Sequence, residues 1–190
     1  MRIGLLGGSY DPPHTGHLLV GGDAFDALDL QRLVWIPTAV QPLKQLQPAT
    51  PAAHRLAMVR LVTDGDARFD VDSIEIDRGG LSYTVDTLTT LAARWPAAKL
   101  FWLVGADVAK TFPKWRQPDR IAELSRIVVM RRNGDETDVS MMPRGTEVVE
   151  TRRIDVSSTE IRDRVREGKS IRGFAPDAVA EYIAAHRLYR

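Results

Sequence analysis

The sequence contains no cysteine among its 190 residues. A disulfide scaffold, a thiolate nucleophile, a cysteine-ligated zinc site and an iron–sulfur cluster are therefore excluded. An excess of charge of one sign is also missing, because 26 Lys and Arg face 25 Asp and Glu and leave a net charge of +1. Such a protein has no global field for nucleic acid or an anionic membrane, so any anion site has to be local.

Long apolar runs are absent as well. No run approaches the roughly 20 apolar residues that a membrane-spanning helix requires. The first run, Ile3 to Leu6, is also too short for the apolar core of a signal peptide. We therefore expect a cytoplasmic protein without a membrane partner. The length and the hydrophobic content of 44% fit a single domain over residues 1–190.

Apolar strand-like runs alternate with segments of helical spacing along the chain. Buried strands are predicted over residues 2–8, 32–37, 99–104 and 126–130, with further extended chain over 69–76 and 146–156. Helices are predicted over residues 16–30, 52–62, 84–95, 118–124, 159–167 and 176–185. This alternation predicts an α/β fold with a single open, mostly parallel sheet and helices on both faces. Because such sheets bind ligands beyond the carboxyl ends of their strands, residues 7–17, 105–107 and 157–162 become candidate sites.

The most informative motif follows the first strand and reads Gly7-Gly8-Ser9-Tyr10-Asp11-Pro12-Pro13-His14-Thr15-Gly16-His17. Glycine after a strand lets backbone N–H groups approach a phosphate. His14 and His17 are three residues apart, so both imidazoles face one side of a first helical turn. Gly16 between them leaves room for a ligand, and the segment predicts a polyphosphate site. The alternative is a Gly/Pro turn with two solvent-facing histidines, whereas a metal site lacks a third nearby ligand.

A second candidate anion site is Ser157-Ser158-Thr159-Glu160-Ile161-Arg162. Ser157 and Glu160 fit a capping box, which places free amides and short hydroxyls at a helix N-terminus. Arg162 lies four residues after Ser158 on the same helix face, where a guanidinium can bind phosphate with two hydrogen bonds. The simpler alternative is a well-capped helix without a ligand.

A third helix start and a nearby tryptophan are candidates for binding a small aromatic acid. The helix that begins near Tyr83-Thr84 offers exposed amides and a positive dipole end, which suit a carboxylate. Trp115 could stack on a flat ring. Both aromatic side chains could equally be packing residues of the core.

In chain order, these motifs resemble those of a known family. His14-Thr15-Gly16-His17 is similar to the signature of the H-x-G-H nucleotidyltransferase superfamily, and residues 157–162 are similar to its S-S-T-x-I-R phosphate motif. Residues 82–88, 105–107 and 113–115 further resemble bacterial nicotinate-nucleotide adenylyltransferases, which make deamido-NAD from nicotinate mononucleotide and ATP. The resemblance spans nearly the whole chain. It implies a Rossmann-like nucleotidyltransferase fold whose C-terminal part, about residues 155–190, is helical and completes the phosphate site.

The resemblance also implies roles for the matched positions. The catalytic residues would be His14, His17 and Arg162, with His17 nearest the reacting phosphorus. ATP would be bound by Gly7, Gly8, Ser9, Tyr10, His14, His17, Gly105, Asp107, Ser157, Ser158, Thr159 and Arg162. The mononucleotide would be bound by Lys44, Tyr83, Thr84 and Trp115, although Gln41-Pro42-Leu43-Lys44 differs from the P-P-H-K-like run common in the family. Mg²⁺ would be the cofactor, held by phosphates and water rather than by side chains.

The implied reaction is direct attack of the mononucleotide 5′-phosphate on the α-phosphorus of ATP, in NAD biosynthesis. That phosphate is already an anionic nucleophile, so positioning and electrostatic stabilisation have to supply the rate. Two alternatives keep the same histidines: a sister adenylyltransferase acting on nicotinamide mononucleotide or phosphopantetheine, and a nucleotide-sensing module without chemistry. The neutral charge balance argues against a nucleic-acid partner. The oligomeric state leaves no mark in the sequence.

Overall fold

The computed structural model describes residues 1–44 and 49–190, apart from the side chain of Lys44. Within these residues six strands form one parallel sheet in the order β3-β2-β1-β4-β5-β6. The strands are β1 (Arg2–Gly8), β2 (Arg32–Pro37), β3 (Phe69–Val71), β4 (Lys99–Gly105), β5 (Arg126–Arg132) and β6 (Glu147–Thr151). The predicted α/β fold with an open sheet is confirmed, and the described sheet is parallel throughout.

Helices cover both faces of this sheet. They are α1 (Thr15–Ala27), α2 (Ala52–Thr63), α3 (Ile74–Arg78), α4 (Thr84–Arg94), α5 (Ala106–Ala109), α6 (Pro118–Leu124), α7 (Ser158–Arg166) and α8 (Asp177–Ala185). Short 3-10 turns occupy Pro42–Lys44 and Phe112–Lys114. Helices α1, α2, α7 and α8 contribute to the core on one face, and α4, α5 and α6 to the core on the other. None of the helices described is long and apolar enough to cross a membrane.

The two cores follow from the alternation of side chains along the central strands. In β2, Leu33 and Trp35 enter the first core, while Val34 and Ile36 enter the second. All four are buried. A strand that buries both faces has no polar side, which is why the sequence shows short continuous apolar runs rather than polar–apolar alternation.

The strand order places a ligand-binding crevice at the middle of the sheet. β1 pairs with β2 on one side and with β4 on the other. The chain therefore winds toward one edge after β1 and toward the opposite edge after β4. Such a reversal opens a crevice beyond the carboxyl ends of the two strands. β1 ends at Gly8 and β4 at Gly105, so both predicted glycine turns lie at this crevice.

The structure corrects two predicted extended segments. Residues 146–156 were expected to be extended, but β6 ends at Thr151. Residues 69–76 were expected to be extended, but β3 ends at Val71, and Ile74 and Ile76 belong to α3. The Asp72 carboxylate accepts the backbone N–H of Ile74 at 2.9 Å. This local bond turns the backbone out of the strand. The hydrophobic spacing of Ile74 and Ile76 is also typical of a strand, so the sequence pattern does not reveal the turn.

Candidate active site

A tight turn over residues 9–13, which we call the β1–α1 turn, leads from the first strand into the first helix. Tyr10 lies there in the left-handed region at φ 50° and donates from its hydroxyl to the carbonyl of Leu6 at 2.7 Å. Its ring covers Gly8, where a Cβ atom would lie 2.9 Å from Tyr10 Cζ. Gly8 is therefore required so that the backbone can pass beneath the tyrosine ring.

The rings of the two histidines of the motif lie in contact at the start of α1, tilted by 36° to each other. Their ring centroids are 3.8 Å apart, and His17 Nδ1 accepts the backbone N–H of His14 at 3.2 Å. His14 is only 7% exposed, which contradicts a turn with two solvent-facing histidines. The space beside Gly16 was expected to receive a ligand, but the His14 ring fills it. A Cβ on Gly16 would lie 3.0 Å from His14 Cε1 and Nδ1.

Burial keeps this pair of imidazoles uncharged. It lowers the pKa of His14 from 6.5 to about 4. It also lowers the pKa of His17 well below the ordinary value, with a further contribution from the adjacent His14. Because His17 Nδ1 accepts a backbone N–H, the single proton of the neutral ring resides on Nε2. His17 therefore presents one N–H donor with a fixed orientation.

The N-terminus of α7 packs directly against the β1–α1 turn. The Ser157 side chain caps the helix by accepting the N–H of Glu160 at 3.1 Å, as predicted. Ser158 Oγ donates to the carbonyl of Pro12 at 2.8 Å, although the two residues are 146 apart in the sequence. Arg162 Nη1 donates to the carbonyl of Asp11 at 2.7 Å, while its Nη2 donates to Thr159 Oγ1 at 3.1 Å. The two predicted phosphate motifs therefore form one site.

A buried arginine donates a hydrogen bond to the β1–α1 turn. Arg55, in α2, is 2% exposed. Its guanidinium donates to the carbonyls of Ser9 at 2.8 Å, Ala39 at 2.9 Å and Thr50 at 2.9 Å. Burial lowers the pKa of Arg55. By binding three carbonyls at once, Arg55 joins the β1–α1 turn to the segment that follows β2.

An exposed carboxylate, that of Asp107, follows directly after the end of β4. Asp107 lies in the first turn of α5 and is exposed. Its Oδ1 folds back over Gly105, so close that a Cβ on Gly105 would lie 2.6 Å from it. A side chain at position 105 would therefore displace the carboxylate of Asp107.

Tyr83 and Trp115 lie on the other face of the sheet, half-buried against the second core. Arg116 covers the Tyr83 ring with its guanidinium 4.9 Å from the ring centroid, which brings the segment after the Phe112–Lys114 turn to the start of α4. Trp115 Nε1 donates to Thr111 Oγ1 at 3.3 Å. Thr84 is the first residue of α4. The side chain of Lys44 lies outside the described residues.

The start of α4 is also joined to the segment after β2. Ser82 Oγ accepts the N–H of Ala39 at 2.9 Å, and the N–H of Ser82 donates to the carbonyl of Val40 at the same distance. Ser9 Oγ in turn donates to Gln41 Oε1 at 3.1 Å. The candidate phosphate residues and the candidate mononucleotide residues are therefore linked through residues 39–41.

The described residues contain no cluster of three or more His, Asp or Glu side chains that could hold a metal ion.

Comparison with known proteins identifies the family. The model of the cytidylyltransferase-like family matches residues 5–164. A protein of Gemmatimonas aurantiaca, named "Probable nicotinate-nucleotide adenylyltransferase", is 52% identical over 200 residues, which cover 100% of this chain and 93% of that protein. A protein of the same name from Roseiflexus sp. is 44% identical over 195 residues, covering 99% of this chain and 98% of that protein. The chain belongs to the nicotinate-nucleotide adenylyltransferase family.

Solved structures confirm the fold of this adenylyltransferase family member. The nicotinic acid mononucleotide adenylyltransferase of Plasmodium falciparum, complexed with NaAD, superimposes with a TM-score of 0.82. The alignment covers 99% of this chain and 97% of that one at 18% sequence identity. Identity this low supports the architecture alone. The resemblance inferred from the motifs is confirmed by the relatives of higher identity.

Three residues of this adenylyltransferase site carry no clear signal in the sequence. Asp11 lies inside the main motif but looks like an ordinary turn residue, and Arg55 looks like a surface residue of an amphipathic helix. Tyr189 lies beyond the last helix, yet its hydroxyl donates to Asp11 Oδ1 at 2.7 Å. A buried arginine that binds only carbonyls leaves no spacing pattern, so only the folded structure reveals it.

Proposed function

We propose that His14, His17 and Arg162 carry the transfer of an adenylyl group from ATP to nicotinate mononucleotide. The observation that supports this assignment is the contact between the two motifs. Arg162 and Ser158 donate to carbonyls of the turn that leads into the histidine pair. A cation, two neutral imidazoles and two helix N-termini thereby converge on one small region.

This region suits a triphosphate on electrostatic grounds. Helices α1 and α7 both begin there, and the positive ends of helix dipoles attract anions. Arg162 is half-buried and offers a planar guanidinium, which suits phosphate oxygens. In this assignment the backbone of Gly7, Gly8, Ser9 and Tyr10 and the start of α7 surround the phosphates.

The chemistry requires no proton transfer at the nucleophile. An oxygen of the mononucleotide 5′-phosphate forms a bond to the α-phosphorus of ATP, while the bond from that phosphorus to the bridging oxygen of the β-phosphate breaks. The electron pair leaves with pyrophosphate. Alignment of the two substrates can supply about 7–11 kcal/mol of the barrier reduction. His17 Nε2–H then stabilises charge on the α-phosphate oxygens in the transition state, an effect typically worth about 3–4 kcal/mol for one donor.

The remaining predicted residues divide between the two nucleotides. In this proposal, Asp107 accepts hydrogen bonds from the ribose hydroxyls of ATP, and its exposure beside the end of β4 leaves it available for a ligand. The backbone of Tyr83 and Thr84 at the start of α4 receives the nicotinate carboxylate. Trp115 lies against the pyridine ring, and Lys44 contributes to binding the mononucleotide.

Magnesium enters this proposal as part of the ATP substrate. In this proposal the ion would be held by phosphate oxygens and water, as is usual for Mg²⁺ with nucleotides. When bound, the ion neutralises phosphate charge and makes pyrophosphate a better leaving group. The residues of this chain hold and orient the phosphates rather than the ion.

The proposed function is tested by an assay that compares adenylyl transfer to different phosphate acceptors, here called the acceptor assay. The purified chain is supplied with Mg-ATP and, separately, with nicotinate mononucleotide, nicotinamide mononucleotide or phosphopantetheine. We expect pyrophosphate release and deamido-NAD formation to be fastest with nicotinate mononucleotide. Fastest product formation with another acceptor would identify a sister adenylyltransferase. Nucleotide binding without pyrophosphate release from any acceptor would indicate a sensing module.

A further inference from the structure

The segment that follows α8 returns to the candidate active site in an unusual backbone conformation. Arg187 and Tyr189 lie in the left-handed region, at φ 53° and 64°. Non-glycine residues enter this region at an energetic cost and stay there only where surrounding contacts enforce it. Here, Leu188 N–H donates to the carbonyl of Ile183 at 3.0 Å, and the Tyr189 hydroxyl donates to Asp11 Oδ1 at 2.7 Å.

Asp11 connects this segment to the other walls of the site. Its second carboxylate oxygen, Oδ2, accepts the N–H of Thr50 at 3.1 Å. Its backbone carbonyl accepts Arg162 Nη1 at 2.7 Å. One residue of the β1–α1 turn therefore joins the segment after α8, the chain before α2 and the N-terminus of α7. Three residues farther along the chain stands His14, the N-cap of α1.

We propose that Tyr189 is a positioning residue for adenylyl transfer, acting through Asp11 to hold the β1–α1 turn and the histidine pair in register with Arg162. The proposal rests on the function assigned above to His14, His17 and Arg162. The Tyr189 hydroxyl donates to the Asp11 carboxylate, and this bond is the route by which the residue acts on the turn. Segments beyond the last helix of a domain are commonly poorly ordered unless tied down, and this one is tied to the turn.

The chemistry of the pair supports a durable hydrogen bond. Burial raises the pKa of Tyr189 well above its ordinary value, so the hydroxyl stays protonated and remains a donor at neutral pH. The acceptor is a carboxylate, and hydrogen bonds to charged groups are stronger than neutral ones. A packing role is separable from this one, because the Tyr189 ring also lies against the first core.

The test therefore removes the hydroxyl and keeps the ring. Tyr189→Phe is compared with Tyr182→Phe, whose hydroxyl instead pairs with His54 Nδ1 at 2.9 Å. We expect Tyr189→Phe to lower kcat/KM for ATP about tenfold, the factor expected for a lost hydrogen bond to a charged group. The KM for nicotinate mononucleotide should change less than about twofold, since this segment packs on the first core and the start of α4 packs on the second. Tyr182→Phe should match the wild-type chain.

A readout independent of activity separates this proposal from the proposed function. Amide hydrogen exchange is followed in the peptides that contain residues 9–17 and Thr50, whose N–H donates to Asp11. Faster exchange in Tyr189→Phe than in Tyr182→Phe is the expected result, even if the acceptor assay fails. Unchanged exchange, or equal losses of kcat/KM in both variants, overturns the positioning role. In an Asp11→Ala background, which has no side-chain acceptor for the hydroxyl, a further full tenfold loss from Tyr189→Phe also overturns it, because coupled residues are not additive.

Discussion

His17 Nδ1 accepts the backbone N–H of His14 at 3.2 Å, so the first histidine of the motif fixes the orientation of the second. This bond explains the spacing of three residues between them, because it closes within the first turn of α1. It also assigns the proton of His17 to Nε2. The His14 backbone therefore orients the His17 ring, and His17 Nε2–H is left as a donor on the opposite side of the ring from that bond.

The first prediction concerns that donor. His17→Ala should lower kcat about 100- to 1,000-fold, since one preorganised donor to a transition state typically contributes this much. The affinity for nicotinate mononucleotide should remain close to wild type. His54→Ala serves as the control, because His54 instead pairs with Tyr182 on α8. Turnover within tenfold of wild type in His17→Ala would remove this histidine from the chemistry.

The second prediction concerns pH and stability. His14 has its pKa lowered from 6.5 to about 4 in the folded chain, so the unfolded chain takes up the proton first as pH falls. Stability that is fully present above pH 6.5 should therefore decline toward pH 4, by about 3 kcal/mol from this group. Chemical denaturation of the ligand-free wild-type chain and of His14→Gln across this range measures the difference. An equal decline in both proteins would assign the pH dependence to other groups.

The third prediction compares two glycines of α1. A Cβ on Gly16 would lie 3.0 Å from the His14 ring, whereas on Gly22 its nearest neighbour, Arg68 Nη1, is 3.8 Å away. Gly16→Ala should push the His14 ring from its place and lower kcat about tenfold, because small misplacements of catalytic groups are costly. Gly22→Ala should keep wild-type kcat and raise the free energy of unfolding by about 1 kcal/mol. Equal kcat in the two variants would contradict the packing role of Gly16.

The fourth prediction addresses the pyridine side. Trp115→Ala should raise the KM for nicotinate mononucleotide about tenfold and leave the KM for ATP within about twofold, since stacking on a base contributes about 1–3 kcal/mol. Trp115→Phe keeps a ring and should restore most of the affinity. Steady-state kinetics with each substrate varied in turn gives both constants. Parallel increases in the two KM values would instead indicate a general loss of packing against Phe112, whose ring centroid lies 5.3 Å away.

Much of the fold was predictable because its local signals agree with its packing. The bounds of β1, β2 and α6 match the predicted residues. The two strands are short apolar runs that end at a glycine and a proline, and α6 begins at a proline and is followed by the polar Ser125. Asp72 shows the limit. Its carboxylate ends β3 by binding the N–H of Ile74, and this side-chain bond outweighs the strand-like hydrophobic spacing that continues to Ile76.

The site was predictable where its residues form motifs and hidden where they act through tertiary contacts. The Ser157 cap is local, so the sequence indicates it correctly. The bond from Arg162 to Asp11 joins residues 151 apart in the sequence. The predicted sheet placed both segments beyond the carboxyl ends of its strands, but it did not predict that these two residues are in contact. Arg55 and Tyr189 were missed because their partners, three carbonyls and one carboxylate, are assembled by the fold from distant segments.

The location of the triphosphate is the most direct measurement of the central assignment. A crystal structure with a non-hydrolysable ATP analogue and Mg²⁺ reports it. Phosphate oxygens are expected within hydrogen-bond distance of His17 Nε2 and Arg162, with the ion bound to phosphate and water. A triphosphate bound away from residues 9–17 and from the start of α7 would show that the two motifs do not form the ATP site.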